Sequence, residues 1–360
     1  MSSSESMTSS DSVRVEIQRT ERYILHDAIA HGGMASVHIG IVEGSFGFAR
    51  IVAIKRLHKE FAASTRFVTM LIEEAHTVSR IRHLNVVPTL DVIARGDEVF
   101  VIMEYVKGAS LNYLVKQKRS EGRFVDARFA VPIIAGALRG LHAAHEVVDA
   151  DGRLLNVVHC DVSPQNILVG VGGLSRVIDF GVASARGNIE STGADEFKGK
   201  LAYAAPEQLT GKPVSARTDV FATGILLWEL LTNEQLFTGE TDAEVYTAAL
   251  KREIPSPLDV LAALQPDGWE ARCVEIAPLV PIAMRALQRV DTLRFETAEA
   301  MALELDRTRI GSPLAGVGAW VRAVAHEKLV SEQRLVAAAE AGVEGRRSLW
   351  STDGIPTRVL

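Results

Sequence analysis

The sequence predicts an α+β chain of two lobes, a small β-rich one with one main helix and a larger helical one. Three observations predict it. Between Tyr23 and Tyr105 the apolar residues come in short runs punctuated by glycine. Residues 64–82 interrupt that texture with a single helical stripe. After Gly108 most apolar residues recur at three-and-four spacing.

Residues 1–19 open on a Ser- and Thr-rich run with almost nothing to bury, so a disordered arm is expected. The runs Tyr23-Ile24-Leu25, Val37-His38-Ile39, Ile51-Val52-Ala53-Ile54 and Val99-Phe100-Val101-Ile102 read as strands of an antiparallel sheet. Between them Phe67, Val68, Leu71, Ile72, Ala75, Val78 and Ile81 share one helix face. Beyond Lys107-Gly108, residues 126–146, 216–232, 241–252 and 271–308 read as helices separated by Pro and Gly turns. Gly311-Ser312-Pro313 then caps one further helix over about 314–341. Its stripe of Val317, Trp320, Val321 and Val324 must bury itself on the helical lobe or on a partner protein. The expected division is an arm at 1–19, a domain at 20–308 with lobes at about 20–105 and 108–308, and a helical tail at 309–360.

Composition narrows the function. The 39 basic and 45 acidic residues leave a net charge of −6, which provides no general attraction to nucleic acid or to an anionic membrane. No apolar run approaches the roughly 18 residues of a bilayer span, and the polar N-terminus has no signal-type core. Cys160 and Cys273 lack the spacing of a disulfide framework or zinc site, which fits a reducing, cytoplasmic setting.

The chemistry concentrates in residues 159–181. Asp161, Asn166 and Asp179 lie at either end of a short hairpin through Ile167-Leu168-Val169. There three oxygen-bearing side chains can converge on a hydroxyl and hydrated magnesium, which is chemistry for moving a phosphoryl group. Upstream, Gly32 and Gly33 allow backbone N–H groups close to a phosphate, although a glycine pair in a hairpin is by itself only a turn. Lys55 ends the apolar strand Val52-Ala53-Ile54. A buried ammonium there needs an anion, which phosphate or the helix carboxylate of Glu74 can supply.

With Ala205-Pro206-Glu207 and Asp219 in the right order, these motifs make residues 20–308 resemble the eukaryotic-type Ser/Thr protein kinase family, in its bacterial branch. The resemblance implies a two-lobed protein-kinase-like fold, ATP and Mg2+ in the cleft, and transfer of the γ-phosphoryl group to Ser or Thr of a protein substrate. It also implies the site. Ala30, Gly32 and Gly33 belong to the phosphate loop, and Lys55 holds the α- and β-phosphates while paired with Glu74, with Glu73 as the competing choice. Val37, Ala53 and Leu168 sandwich the adenine, the backbone of Glu104 to Val106 binds its edge, and Met103 lies at the back. Asp161 receives or orients the hydroxyl proton, and Asn166 and Asp179 hold magnesium. His159, Phe180 and Asp219 support the catalytic loop, and Glu207 pairs with Arg294.

The chain also departs from the family pattern. Ala30 and Ala35 stand where glycine is frequent, and alanine disfavours positive φ. Cys160 replaces the arginine that, in many members, anchors a phosphate on the activation segment. Activity independent of phosphorylation at Ser184, Ser191 or Thr192 is therefore expected. A redox role for Cys160 would require a lowered thiol pKa. Ser163 replaces a catalytic-loop lysine, while Lys200 stands where a threonine is usual. The two residue types have exchanged places, and Lys200 is expected to reach back toward Asp161 and the γ-phosphate. The rival reading is a pseudokinase scaffold.

Overall fold

The computed structural model describes residues 22–44, 48–62, 65–95, 98–180 and 201–347. Its first lobe is a five-stranded antiparallel sheet of order β1-β2-β3-β5-β4, made of β1 (Arg22–His31), β2 (Ala35–Glu43), β3 (Ala49–Leu57), β4 (Thr89–Arg95) and β5 (Glu98–Glu104). Strand β4 was not among the expected strands. It is an edge strand without a fully buried residue, so its half-polar sequence shows little alternation, and pairing with β5 defines it. Helices α1 (Lys59–Ala62) and α2 (Thr65–Val78) follow β3, and α2 is the expected stripe, shorter at its end.

In the second lobe, β6 (Gly108–Ser110) pairs with β7 (Ile167–Gly170), which pairs with β8 (Ser175–Val177). Around this small sheet lie α3 (Leu111–Ser120), α4 (Ala127–His145), α5 (Pro206–Leu209), α6 (Ala216–Thr232), α7 (Asp242–Lys251), α8 (Pro257–Leu264), α9 (Trp269–Ile276), α10 (Val280–Ala286) and α11 (Ala298–Arg307). Helix α3 escapes periodicity because only Leu111 and Leu114 are buried; its N-cap Ser110, which accepts from Tyr113 N, is its main local signal. The stretch 271–308 is several short helices and not one. Pro278 and Pro281 each lack an N–H donor and are placed at helix starts, and Thr297 caps α11 by accepting from Ala300 N.

The tail corrects a second expectation. Residues 314–341 form two helices, α12 (Leu314–Val324) and α13 (His326–Arg347), broken at the buried Ala325. No proline or glycine marks the break, so only packing places it. Helix α12 follows the second lobe, burying Val317 and Val321 in its core and stacking Trp320 on Phe129 at 5.1 Å. Its stripe is thus covered by the chain's own helical lobe. Burial of each valine is worth about 1.5–3 kcal/mol. Helix α13 turns back to the first lobe, where Ala339 joins Ile39 and Ile41.

Candidate active site

The loop from His159 to Asn166 is built around Asp219, which is fully buried near the start of α6. Its carboxylate accepts from His145 Nε2 (2.8 Å), from the His159 amide (2.9 Å) and from the Cys160 amide (2.9 Å). Burial alone would raise this carboxyl, but those hydrogen bonds overcome it and hold it below the usual range. The His159 ring leans on Phe180 at 4.7 Å. Its Nδ1 accepts from the Asp161 amide at 3.2 Å, so Nε2 carries the proton and donates to Ile178 O at 2.9 Å. One ring thereby ties the loop bearing Asp161 to the residue before Asp179.

Asn166 closes the other side. Its Nδ2 donates to Asp161 O at 2.8 Å and to Asp161 Oδ2 at 3.3 Å, while its carbonyl accepts from the Ile178 amide at 3.0 Å. Asp161, Asn166 and Asp179 are therefore brought together. Asp179 is in the left-handed region at φ 56°, two residues after β8 ends at Val177. Lys55 Nζ meets Asp179 Oδ1 at 2.9 Å across the lobes. Ser163 is half-buried in the same loop, its carbonyl accepting from the Asn166 amide at 3.0 Å.

The sheet register places the remaining candidates. Val37 pairs with Lys55, Lys55 with Val101, and Ala53 with both Ile39 and Met103. Cross-strand partners share a face, so Val37, Ala53, Lys55 and Met103 all lie on the side that carries Lys55 to Asp179. Met103, Lys55 and Phe180 line one small cavity of about 50 Å³. Leu168, half-buried, projects from β7 opposite Ser110. In the connection between lobes, the Glu104 amide donates to Pro88 O at 3.1 Å and its carboxylate takes Arg176 Nη1 at 2.6 Å.

Other expectations meet the structure less directly. Gly32 N–H donates to Ala35 O at 2.9 Å, closing the turn between β1 and β2. Ala30, exposed, pairs with Val37, and neither Ala30 nor Ala35 adopts a positive φ, so alanine brings no backbone strain there. Glu73 is exposed, and the side chain of Glu74 lies outside the described residues. So do Lys200, Gly199 and the segment with Ser184, Ser191 and Thr192. Cys160 is buried, and burial, reinforced by Asp219, Asp161 and Glu207, pushes its thiol well up. That is the reverse of what a redox-active cysteine needs.

Comparison with known proteins places this arrangement. The chain matches the protein kinase domain over residues 23–274. It belongs to the protein kinase family. It is 34% identical over 297 residues to the tyrosine-protein kinase MasK of Myxococcus xanthus. It is 30% identical over 301 residues to the serine/threonine-protein kinase PknB of Mycobacterium tuberculosis. Each match covers 82% of this chain but 44% of the relative, so the chain spans less than half the length of these curated relatives. Among solved structures, the kinase domain of PknI from Mycobacterium tuberculosis superposes with a TM-score of 0.57 at 18% identity, over 82% of this chain and 99% of that one. That likeness shows the shared fold, and the relatives place the kinase in the bacterial, eukaryotic-type branch.

Sequence reasoning missed a carboxylate in the second lobe of this kinase. Glu229 of α6 accepts from Tyr203 Oη at 2.9 Å and from the Leu236 amide at 3.2 Å. Glu229 is partly exposed as a residue, but its carboxyl is enclosed, and that burial raises its pKa from 4.5 to about 7 despite both hydrogen bonds. The available signal was a lone charge inside the apolar run Ile225-Leu226-Leu227-Trp228-Glu229-Leu230-Leu231. Between pH 4.5 and about 7 the folded state holds a proton that the unfolded state has released. Stability should therefore fall as pH rises through that window, by about 3 kcal/mol from this group, and level off above it. In Glu229→Gln that slope should disappear. Denaturant titrations of both proteins at pH 5, 6, 7 and 8 check this, and identical slopes would refute it.

Proposed function

We propose that this kinase transfers the γ-phosphoryl group of ATP to Ser or Thr hydroxyls of protein substrates. The observation that carries the reading is the Lys55–Asp179 ion pair at 2.9 Å, with Asp179 beside an Asn166 that is itself hydrogen-bonded to Asp161. An ammonium, two oxygen donors and a carboxylate base then face one cleft between two lobes. Phosphoryl transfer asks for this arrangement, because it depends on positioning and on neutralising charge, with little need of a strong base.

The donor set fits magnesium. Asn166 directs its amide nitrogen at Asp161, so its amide oxygen is the end available to a hard cation, and Asp179 adds a carboxylate. Magnesium, when bound there with phosphates, neutralises their charge. Asn166 and Asp179 hold it, Lys55 positions the α- and β-phosphates, and Asp161 orients the acceptor hydroxyl and takes its proton. Val37, Ala53, Leu168 and the backbone of Glu104 to Val106 hold the adenine, with Met103 behind it. Gly32 and Gly33 cover the phosphates next to Ala30. Lys200 supplies the cation that Ser163 cannot, and Glu74 supports Lys55. Cys160 leaves the activation segment without its arginine anchor, so the unphosphorylated protein is active. A cytoplasmic location and a role in bacterial signalling complete the reading. Among the described residues no helix is long and apolar enough to cross a membrane.

A tyrosine acceptor is the second reading, favoured by the name of the Myxococcus relative. Incubation with labelled ATP and magnesium, followed by phosphoamino-acid analysis of the protein and a generic acceptor, separates the two. Label on Ser or Thr supports the proposal, and label confined to Tyr overturns its acceptor class. In the same assay Lys55→Ala should abolish transfer, and Lys200→Ala should slow it by about 100-fold or more. An unchanged rate in Lys200→Ala would remove the exchange of Ser163 and Lys200 from the mechanism.

A further inference from the structure

One face of the first-lobe sheet is shared among three occupants. Ala35, Val37, Ile39 and Ile41 of β2 stand opposite Leu57, Lys55, Ala53 and Ile51 of β3. Helix α2 covers one end, through Val68 and Leu71 against Ala35 and Leu57. The tail helix α13 covers the other, through Leu335, Val336 and Ala339 against Ile39, Ile41 and Ile51. The stretch between them, Val37, Ala53 and Lys55, is the one assigned above to the nucleotide.

Helix α13 also fastens the connection between the lobes. Tyr105, which packs in the same cluster, donates its hydroxyl to Glu332 Oε2 at 3.3 Å, and Lys107 Nζ donates to Gln333 Oε1 at 3.4 Å. Glu332 is buried and ion-paired with Lys328 one turn earlier. Tyr105 is the middle residue of Glu104 to Val106, so the side chain that orients this backbone is held by the tail.

The other end of the tail grips the hairpin between Asn166 and Asp179. A Cβ added to Gly318 of α12 would come within 2.3 Å of Val171 O. Gly173, in the left-handed region at φ 89°, lies so close to Leu314 that an added Cβ would fall 1.9 Å from its carbonyl oxygen. Only glycine allows this approach at either position. Arg322 Nη1 donates to Val171 O at 2.5 Å. Two consecutive helices therefore touch the catalytic hairpin, the connection between lobes and the outer end of the nucleotide face.

We propose that α13 is a nucleotide-positioning element, which holds Tyr105 and the outer end of the β2–β3 face so that the affinity for Mg-ATP depends on the docked tail. This rests on the reading of the cleft as an ATP site. By reciprocity, a tail that favours nucleotide binding is itself held more tightly when nucleotide is bound.

Ala339→Asp tests it by placing a charge in the buried contact with Ile39 and Ile41, two turns beyond Glu332 and outside the residues assigned to the nucleotide. The dissociation constant for Mg-ATP, measured by calorimetry, should rise about tenfold, and Glu332→Gln should move it the same way by less. The KM for ATP should follow while kcat changes less than about twofold, a split that general destabilisation does not produce. Amide hydrogen exchange over 326–341 in the wild type should slow when Mg-ATP is saturating, a readout independent of how either variant folds. If the wild type binds Mg-ATP and exchange over α13 does not respond, or if Ala339→Asp binds equally tightly, the proposal is overturned. A wild type that binds no nucleotide would instead overturn the proposed function.

Discussion

Asp161→Asn is expected to reduce phosphoryl transfer to protein by about 100- to 10,000-fold while leaving Mg-ATP affinity nearly unchanged. Asn has almost the same shape as Asp, and its amide oxygen can still accept from Asn166 Nδ2, which approaches Asp161 Oδ2 at 3.3 Å. The Asp161 amide, which donates to His159 Nδ1, is untouched by the change, so the loop should keep its place. What is lost is a group able to take a proton from the acceptor hydroxyl. Initial rates with labelled ATP and magnesium, alongside calorimetric nucleotide binding, give both quantities. A rate within tenfold of the wild type would mean that Asp161 is not the base. Absence of transfer in both proteins, with nucleotide still bound, would favour the scaffold reading suggested by Cys160, Ser163 and Ala30.

The second large effect is on stability. Arg294, fully buried, meets Glu207 through two parallel bonds, Nη1 to Oε1 at 2.7 Å and Nη2 to Oε2 at 2.8 Å. Its Nε donates to Gln288 O at 2.7 Å, and its guanidinium lies over the Phe221 ring at 4.7 Å. Thr218 adds a hydroxyl to Glu207 Oε1 at 2.8 Å. Arg294→Met fills much of the space but leaves a buried carboxylate without its cation, and should cost about 3–5 kcal/mol at pH 7.

The sign with pH follows from Glu207. Burial alone would raise its pKa, but Arg294 and Thr218 win and hold it below the usual 4.5. In the wild type its contribution is therefore present above that value and lost only as pH falls through the lower, folded-state pKa. Without Arg294 burial prevails, and Glu207 takes up a proton on folding. The gap between variant and wild type should then narrow between pH 7 and pH 5. Denaturant midpoints at both pH values measure it. A loss below about 1 kcal/mol at pH 7, the range of an exposed ion pair, would show that the pair contributes little.

Much of this kinase is legible before folding. Short apolar runs between glycines mark four of the five strands of the first lobe. The motifs with Lys55, Asp161, Asn166 and Asp179 are the ones from which a phosphoryl-transfer site is proposed, and Glu207 pairs with Arg294 as the resemblance implied. The strands are local in cause, through alternation and spacing, whereas the Glu207–Arg294 pair, 87 residues apart, was legible only through the family resemblance. Glu229 and the Tyr105–Glu332 contact were not legible as partners, because their sequence separations of 26 and 227 residues hide the contacts. The break at Ala325 was equally hidden, since no breaker residue sits there.

The sequence by itself determined the two-lobed class, because local periodicity needs no distant partner to be read, while the Glu207–Arg294 pair was legible only through the family resemblance. Only the tertiary structure decided where the tail goes. An apolar helix face specifies that it must be buried but not against what. Here the first half of the tail is buried on the helical lobe, and the second half crosses back to the sheet that carries Lys55, because the outer end of that sheet leaves Ile39 and Ile41 to be covered.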